Sequence, residues 1–342
     1  MGTGCLRITT MSYVALGRSG LKVSRACLGT MTFGNTEWGT DEAESRRIVD
    51  AFVDAGHNFI DTADVYNAGA SEEIVGRAVA TKRSTVVLAT KGYNVMGAGP
   101  NDVGSSRAHL TRALEASLRR LGTDYLDLYQ LHSWDHDTPI EESMATLDGF
   151  VRSGKVRYIG CSNFFGSQLV EAQWAADRLG ATPFVSLQPQ YSLIWRDIEL
   201  DILPTATRHG MGVIVWSPLG GGMLTGKYTK GGDLPADGRL SRGSDMGAQG
   251  MRRLTLTDRN YEIVAEVDKV AAELDATATA VSLAWLLGRP GVTSVIIGPR
   301  TVDQLGQNLA GFDLALPLES AKSLSKVSRL AVTYPWYMQL RL

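Results

Sequence analysis

Short apolar runs alternate with amphipathic stretches along nearly the whole chain. Eight of the runs read as strands, at 26–30, 59–62, 85–90, 126–132, 156–161, 184–188, 212–216 and 294–298. They are apolar almost throughout, the pattern of a strand covered on both faces. Helical periodicity marks the intervening stretches 41–56, 71–80, 106–122, 141–154, 166–180, 199–210 and 258–274. In 106–122, Leu110, Ala113, Leu114, Ser117, Leu118 and Leu121 recur at the spacing that places them on one helix face. Several of these stretches open on a capping residue and five close on glycine, as helix ends prefer. Ahead of the first strand, YVALG and VSRACLGT flank RSGLK, which predicts an N-terminal β-hairpin leading into the core.

Strands that are apolar throughout, each followed by a helix, predict a parallel sheet wrapped by helices. Eight such units predict an α/β fold of the (β/α)8 TIM-barrel type with an N-terminal β-hairpin. An open dinucleotide-binding sheet would carry G-x-G-x-x-G after its first strand, and this chain has GTMTFGN there. A length of 342 residues suits one barrel. The expected organisation is a tail at 1–11, a single barrel domain at 12–335 and a C-terminal tail at 336–342.

Composition narrows the function classes. With 44% hydrophobic residues the chain can bury a large core, and a net charge of −2 without a basic block argues against nucleic-acid or membrane partners. Cys5, Cys27 and Cys161 stand alone, without the spacing of a metal site, so no metal is expected. The first residues lack the basic and apolar segments of a signal peptide, and no run reaches the ~18 apolar residues of a membrane span. The expected location is the cytoplasm.

Candidate chemistry lies where apolar runs end. Asp61 and Tyr66 fall in FIDTADVY, Lys91 ends VVLATK and His132 ends DLYQLH. In a barrel, strand C-termini converge on one mouth, so these four would meet there despite their separation in sequence. A Tyr, a Lys, a His and a carboxylate at one point can deliver a proton to a carbonyl oxygen.

The chain resembles the aldo-keto reductase family, in the branch that holds bacterial aldo/keto reductases and potassium channel β subunits. The likeness rests on LGRSGLKVSRACLGTMTFG, FIDTADVY, GRAVATKRSTVVLATK, LRRLGTDYLDLYQLH, VRYIGCSN, VIVWSPLGGGMLTGKY and SVIIGPRTVDQLGQN, in that order. It implies a catalytic tetrad of Asp61, Tyr66, Lys91 and His132. Tyr66 would be the general acid, Lys91 would lower its pKa, Asp61 would hold Lys91, and His132 would orient the carbonyl. It also implies a nicotinamide cofactor, NADP(H), with its carboxamide on Ser162, Asn163 and Gln188 and its ring against Trp216. Ser217, Leu219, Gly221 and Lys227 would take the diphosphate, with Gly29, Thr30, Met31 and Asp61 as further contacts.

The last motif bears on cofactor choice. Gly298 ends a strand and a helix begins near Thr301, which predicts unused backbone N–H groups beside Arg300, a fork suited to a 2′-phosphate. Gln304 and Asn308 share a helical face, which the resemblance implies meets the adenosine, and Gln307 stands where many relatives carry an acid. The resemblance implies a small carbonyl compound or alcohol as substrate, because relatives that reduce carbon–carbon double bonds replace the histidine matched by His132 with a carboxylic acid. Phe33, Trp38, Tyr93 and Trp134 are candidates to line its pocket. The Gly- and Asp-rich stretch 228–256 reads as a surface loop or a lid, and the terminal YPWYMQLRL as a cover for the mouth or a subunit contact. Monomer and homo-oligomer both remain open. The alternative function is a cofactor-binding regulatory or channel-associated subunit with weak turnover.

Overall fold

A computed structural model describes residues 13–35, 37–236, 238–242 and 246–339. Strands β1 (Tyr13–Ala15) and β2 (Lys22–Ser24) pair antiparallel as the hairpin. Eight parallel strands follow: β3 (Ala26–Gly29), β4 (Phe59–Asp61), β5 (Val87–Gly92), β6 (Leu126–Leu131), β7 (Val156–Ser162), β8 (Ser186–Gln188), β9 (Gly212–Val215) and β10 (Val292–Ile297). They close in chain order, with β10 pairing β3, so the fold is the expected (β/α)8 TIM barrel.

The helices are α1 (Glu42–Asp54), α2 (Ala70–Val79), α3 (Arg107–Leu121), α4 (Ile140–Arg152), α5 (Gly166–Leu179), α6 (Ile202–Arg208), α7 (Met246–Thr255), α8 (Asp258–Glu273), α9 (Ala278–Leu287), α10 (Val302–Asp313), α11 (Leu318–Val327) and α12 (Trp336–Gln339). Asp41, Ser106, Thr257, Thr277 and Thr301 cap α1, α3, α8, α9 and α10 through side-chain oxygens. Gly122 and Gly180 close α3 and α5 in the left-handed conformation that a Cβ disfavours. No single helix among the described residues is long and apolar enough to cross a membrane.

Strand alternation divides the apolar residues into two cores. Cys27, Phe59, Val87, Ala89, Leu128, Ile214 and Ile296 fill the barrel, while Leu28, Ile60, Leu88 and Tyr129 face the helices. Leu16 and Val23 of the hairpin join the inner core and plug the N-terminal end of the barrel. Gly17 makes that plug possible, since a Cβ there would lie 2.5 Å from the Gly210 carbonyl oxygen. Only the C-terminal end is left as a mouth.

The structure corrects four sequence expectations. Arg25 separates VSRACLGT into β2 and β3. Arg83–Thr85 forms a 3-10 turn, so the strand expected at 85–90 begins later and runs past Lys91 to Gly92. The stretch 228–256 holds a 3-10 turn at Arg239–Ser241 and helix α7, which forms although Gly247 and Gly250 stand inside it. At the C-terminus, Trp336 Nε1 donates to the Leu200 carbonyl at 2.9 Å and docks α12. The tail expected at 1–11, and residues 340–342 of the C-terminal tail, lie outside the described residues.

Candidate active site

Phe59 and Asp61 point into the barrel and Ile60 points out, so Asp61 enters the mouth as the last inward side chain of β4. The same alternation turns Lys91 of β5 and Gln130 of β6 inward beside it. Lys91 Nζ donates to Asp61 Oδ2 at 2.6 Å, to the Thr62 carbonyl at 2.8 Å and to the Tyr66 hydroxyl at 3.3 Å. The other Asp61 oxygen accepts from Gln188 Nε2 at 2.8 Å and Gln130 Nε2 at 3.3 Å. Lys91 is 0% exposed and Asp61 2%, so this pair owes its persistence to hydrogen bonds around both charges. Burial pulls the Lys91 ammonium down, but Asp61 and Tyr66 outweigh it, and Lys91 stays a cation with a raised pKa.

Tyr66 opens the 3-10 turn Tyr66–Gly69, in which Asn67 and Ala68 adopt left-handed backbone at φ 50° and 54°. Asn67 Nδ2 anchors the turn on the Met31 and Phe33 carbonyls at 3.1 and 2.7 Å. The half-buried Tyr66 ring meets His132 edge-on at 5.9 Å. Desolvation raises the Tyr66 pKa and Lys91 opposes it without reversing it, so the net shift runs opposite to the sequence expectation. Lys91 offsets a cost that burial imposes.

His132 follows β6 directly. Its Nδ1 accepts from Asn94 Nδ2 at 2.9 Å, which leaves the ring proton on Nε2 in the neutral imidazole. Burial first and Lys91 second pull its pKa down to about 3, so the ring is neutral across the ordinary pH range.

Around these four, the strand ends bring Asn163, Gln188 and Trp216 together. Asn163 Nδ2 donates to the His132 carbonyl at 3.0 Å, Trp216 Nε1 donates to Asn163 Oδ1 at 3.2 Å, and Ser162 Oγ donates to the Gln188 carbonyl at 2.7 Å. Gln188 spends its amide N–H on Asp61, so its role is shared with the ion pair. After β9, Ser217, Gly220, Gly221 and Gly222 all take positive φ. A Cβ on Gly222 would come within 3.1 Å of Lys227 Cε, so the loop keeps its lysine close to bare backbone.

The stretch beyond bends back over this loop. Leu240 N donates to the Tyr228 hydroxyl at 3.0 Å, and Arg242 Nη1 donates to the Glu37 carbonyl at 2.6 Å. Arg239 is carried to the mouth, where Met31 Sδ lies 3.9 Å from its Nη2 and Trp38 lies under its guanidinium at 5.9 Å. The guanidinium remains open to solvent, yet protein surrounds it closely enough that desolvation lowers its pKa, with Tyr66 and Tyr228 opposing. A guanidinium at the mouth, set against Met31 and Trp38, suits an anionic ligand. With Lys227, the glycine turn and the Asn163 and Gln188 amides, this donor set fits a phosphate-bearing dinucleotide.

The remaining candidates divide. Trp134 packs edge-on to Phe164 at 5.2 Å on the rim, and Tyr93 is half-buried after β5. Phe33 is fully buried in the outer core, which removes it from the substrate pocket, because the Thr30–Thr40 loop folds back on itself. Gly29 ends β3, and Thr30 spends its hydroxyl on Ser71 and Asp61 and its amide on Asp61, leaving Met31 as the accessible member of that trio.

At α10 the amides expected beside Arg300 are engaged. Arg300 N donates to Gln304 Oε1 at 2.9 Å, Gln304 N to Thr301 Oγ1 at 3.2 Å, and Val302 N to Glu44 Oε1 at 2.9 Å. Gly298 and Gln307 are exposed, while Asn308 is buried on the inner face of α10. Asn94, Gln130, Arg239 and Glu44 escaped the sequence reading. Nothing local marks them, since each matters through a partner tens to hundreds of residues away.

Cavities among the described residues flank the barrel. One of about 590 Å³ lies at the plugged end among Arg18, Trp174, Phe184 and His209, remote from the tetrad. Another, of about 270 Å³, opens beside Asn163 and Trp216 and is lined by Phe165, Gln190 and Trp195. It touches the mouth through Asn163 and Trp216, while Asp197, Ile198 and Ile202 carry its lining away toward α6.

A parallel barrel with a buried Lys–Asp pair on a tyrosine at its C-terminal mouth defines a class of barrel oxidoreductases. Residues 25–329 match the model of the aldo/keto reductase family, and the chain belongs to that family. It is 41% identical over 328 residues to the uncharacterized oxidoreductase YrpG of Bacillus subtilis, covering 93% of this chain and 96% of that protein. A probable voltage-gated potassium channel subunit beta of Arabidopsis thaliana is 37% identical over 330 residues, covering 95% and 98%. Norsolorinic acid reductase of Aspergillus flavus is 33% identical over 329 residues, covering 93% and 81%. These relatives support oxidoreduction, and the family generally uses a nicotinamide cofactor.

Proposed function

We propose that this protein is an NADPH-dependent reductase that converts an aldehyde or ketone to an alcohol, with Tyr66 as general acid. The observation that carries this reading is the ammonium of Lys91, held by Asp61 at 2.6 Å and set 3.3 Å from the Tyr66 hydroxyl. When bound, the cofactor supplies the hydride. Asn163, Gln188 and Trp216 would hold its nicotinamide end, Lys227, Arg239 and the loop from Ser217 to Gly222 its diphosphate, and Arg300 with Gln304 and Asn308 its adenosine end.

The remaining chemistry belongs to the chain. His132 presents Nε2–H to the carbonyl oxygen, since Asn94 occupies Nδ1. Tyr66 releases its proton to that oxygen as charge develops there, and Lys91 stabilises the phenolate left behind. The buried Asp61 keeps Lys91 charged and stationary throughout. The small molecule is the partner this reading requires, and residues 12–335 act as one catalytic unit in the cytoplasm.

The test follows NADPH oxidation at 340 nm over a panel of aldehydes, ketones and keto-sugars. Turnover on some carbonyl is expected, with at least a ~100-fold loss in Tyr66→Phe, in keeping with general-acid magnitudes. Equal rates for the two proteins would sink the mechanism. Relatives named as potassium channel β subunits favour a second reading, a cofactor-binding subunit with weak turnover. Tight dinucleotide binding with negligible turnover across the whole panel would select it.

A further inference from the structure

Glu44 stands in the first turn of α1, which packs beside α10. Its Oε1 accepts the Val302 amide, the opening N–H of α10, at 2.9 Å, and its Oε2 is paired with Arg47 at 2.6 Å. The carboxylate is 21% exposed, so it is partly sheltered from the screening that weakens surface charges. A helix N-terminus attracts one anion, and here the protein has installed its own. Asp303 adds a second carboxylate to the same turn.

This arrangement matters for the 2′ position of the adenosine, if the dinucleotide binds along α10 as the proposed function has it. Arg300 favours a 2′-phosphate, whereas Glu44 opposes it twice: it takes up an amide the phosphate could use, and it repels the phosphate through charge. A bare 2′-hydroxyl suffers neither penalty. We infer that Glu44 is a specificity-determining residue that narrows this protein's preference for NADP over NAD.

The test is calorimetric titration of the full chain with NADP+ and with NAD+ separately. Glu44→Gln keeps an acceptor for Val302 and removes the charge, so the fold should persist. NADP+ affinity is expected to rise about five- to tenfold while NAD+ affinity changes less than about twofold, and the gain should shrink in high salt. Glu42→Gln is the control for bulk charge, since Glu42 lies in the same turn but pairs with Arg77 at 2.7 Å. An unchanged NADP+/NAD+ ratio in Glu44→Gln, or an equal shift in Glu42→Gln, overturns the inference and leaves the proposed function standing. Failure of the wild-type chain to bind either dinucleotide overturns both.

Discussion

Two polar clusters are buried on opposite sides of the same strands, and they are built on different terms. Inside the barrel, every charge has an answer: Lys91 meets Asp61, Thr62 and Tyr66, and Asp61 also meets Gln130 and Gln188. Outside, between the strands and helices α2 and α3, Glu72 binds Thr90 at 2.5 Å and Arg120 at 2.6 Å. Yet the fully buried Asp64 has no side-chain hydrogen-bond partner, nor does the Tyr129 hydroxyl. Burial, followed by the nearby Glu72, pushes Asp64 up to about 7, with the Val65 amide, Arg120 and Lys91 pulling the other way. The inner cluster pairs its charges, and the outer one holds a carboxyl that burial keeps protonated to about neutral pH.

The largest expected effect breaks the inner cluster. Lys91→Met leaves Asp61 buried without its cation, which should cost about 3–5 kcal/mol of stability and lower turnover about a thousandfold. Chemical denaturation and NADPH oxidation measure the two, and near-normal turnover would mean that the ion pair is scaffolding alone. Glu72→Ala breaks the outer cluster instead. It should cost about 3 kcal/mol because Arg120 loses its partner, while turnover per folded molecule falls less than about tenfold.

Asp64→Asn tests the pH contrast. With a folded pKa of about 7 against about 4 unfolded, the native state keeps a proton that the unfolded chain has already lost. Asp64 therefore costs nothing below pH ~4, costs progressively more as pH rises to about 7, and levels off above that at a few kcal/mol. The asparagine variant should melt higher than wild type at pH 8 and alike at pH 4, and parallel melting curves at all pH values would remove Asp64 from the account. The smallest effect is a negative one. Since His132 titrates near 3, turnover should show no limb attributable to it between pH 5 and 8, and a limb lost in His132→Gln would contradict the neutral imidazole.

Much of this was legible before any coordinates. The eight strands show as β-branched runs, and their last inward residues show as polar interruptions, so Asp61, Lys91 and His132 could be picked out. Helix α9 could not, because ATAVSLAWLL is buried on nearly every side and carries no polar face to set a period. Helix α7 hid because Gly247 and Gly250 lie inside it. Phe33 looked like a mouth residue by its position after a strand, and the fold of its loop put it in the core.

Local pattern is enough to specify strands, helices and the kinds of side chain that end them, because periodicity and capping act over a few residues. Pairing is another matter. Gln188 reaches Asp61 across 127 positions, and Glu44 reaches Val302 across 258. Those bonds form because closure of the barrel, with β10 beside β3, brings distant ends to one rim. The types of chemistry were written in the chain, while the partners, the tautomer of His132 and the anion already seated at α10 came from the geometry of that closure.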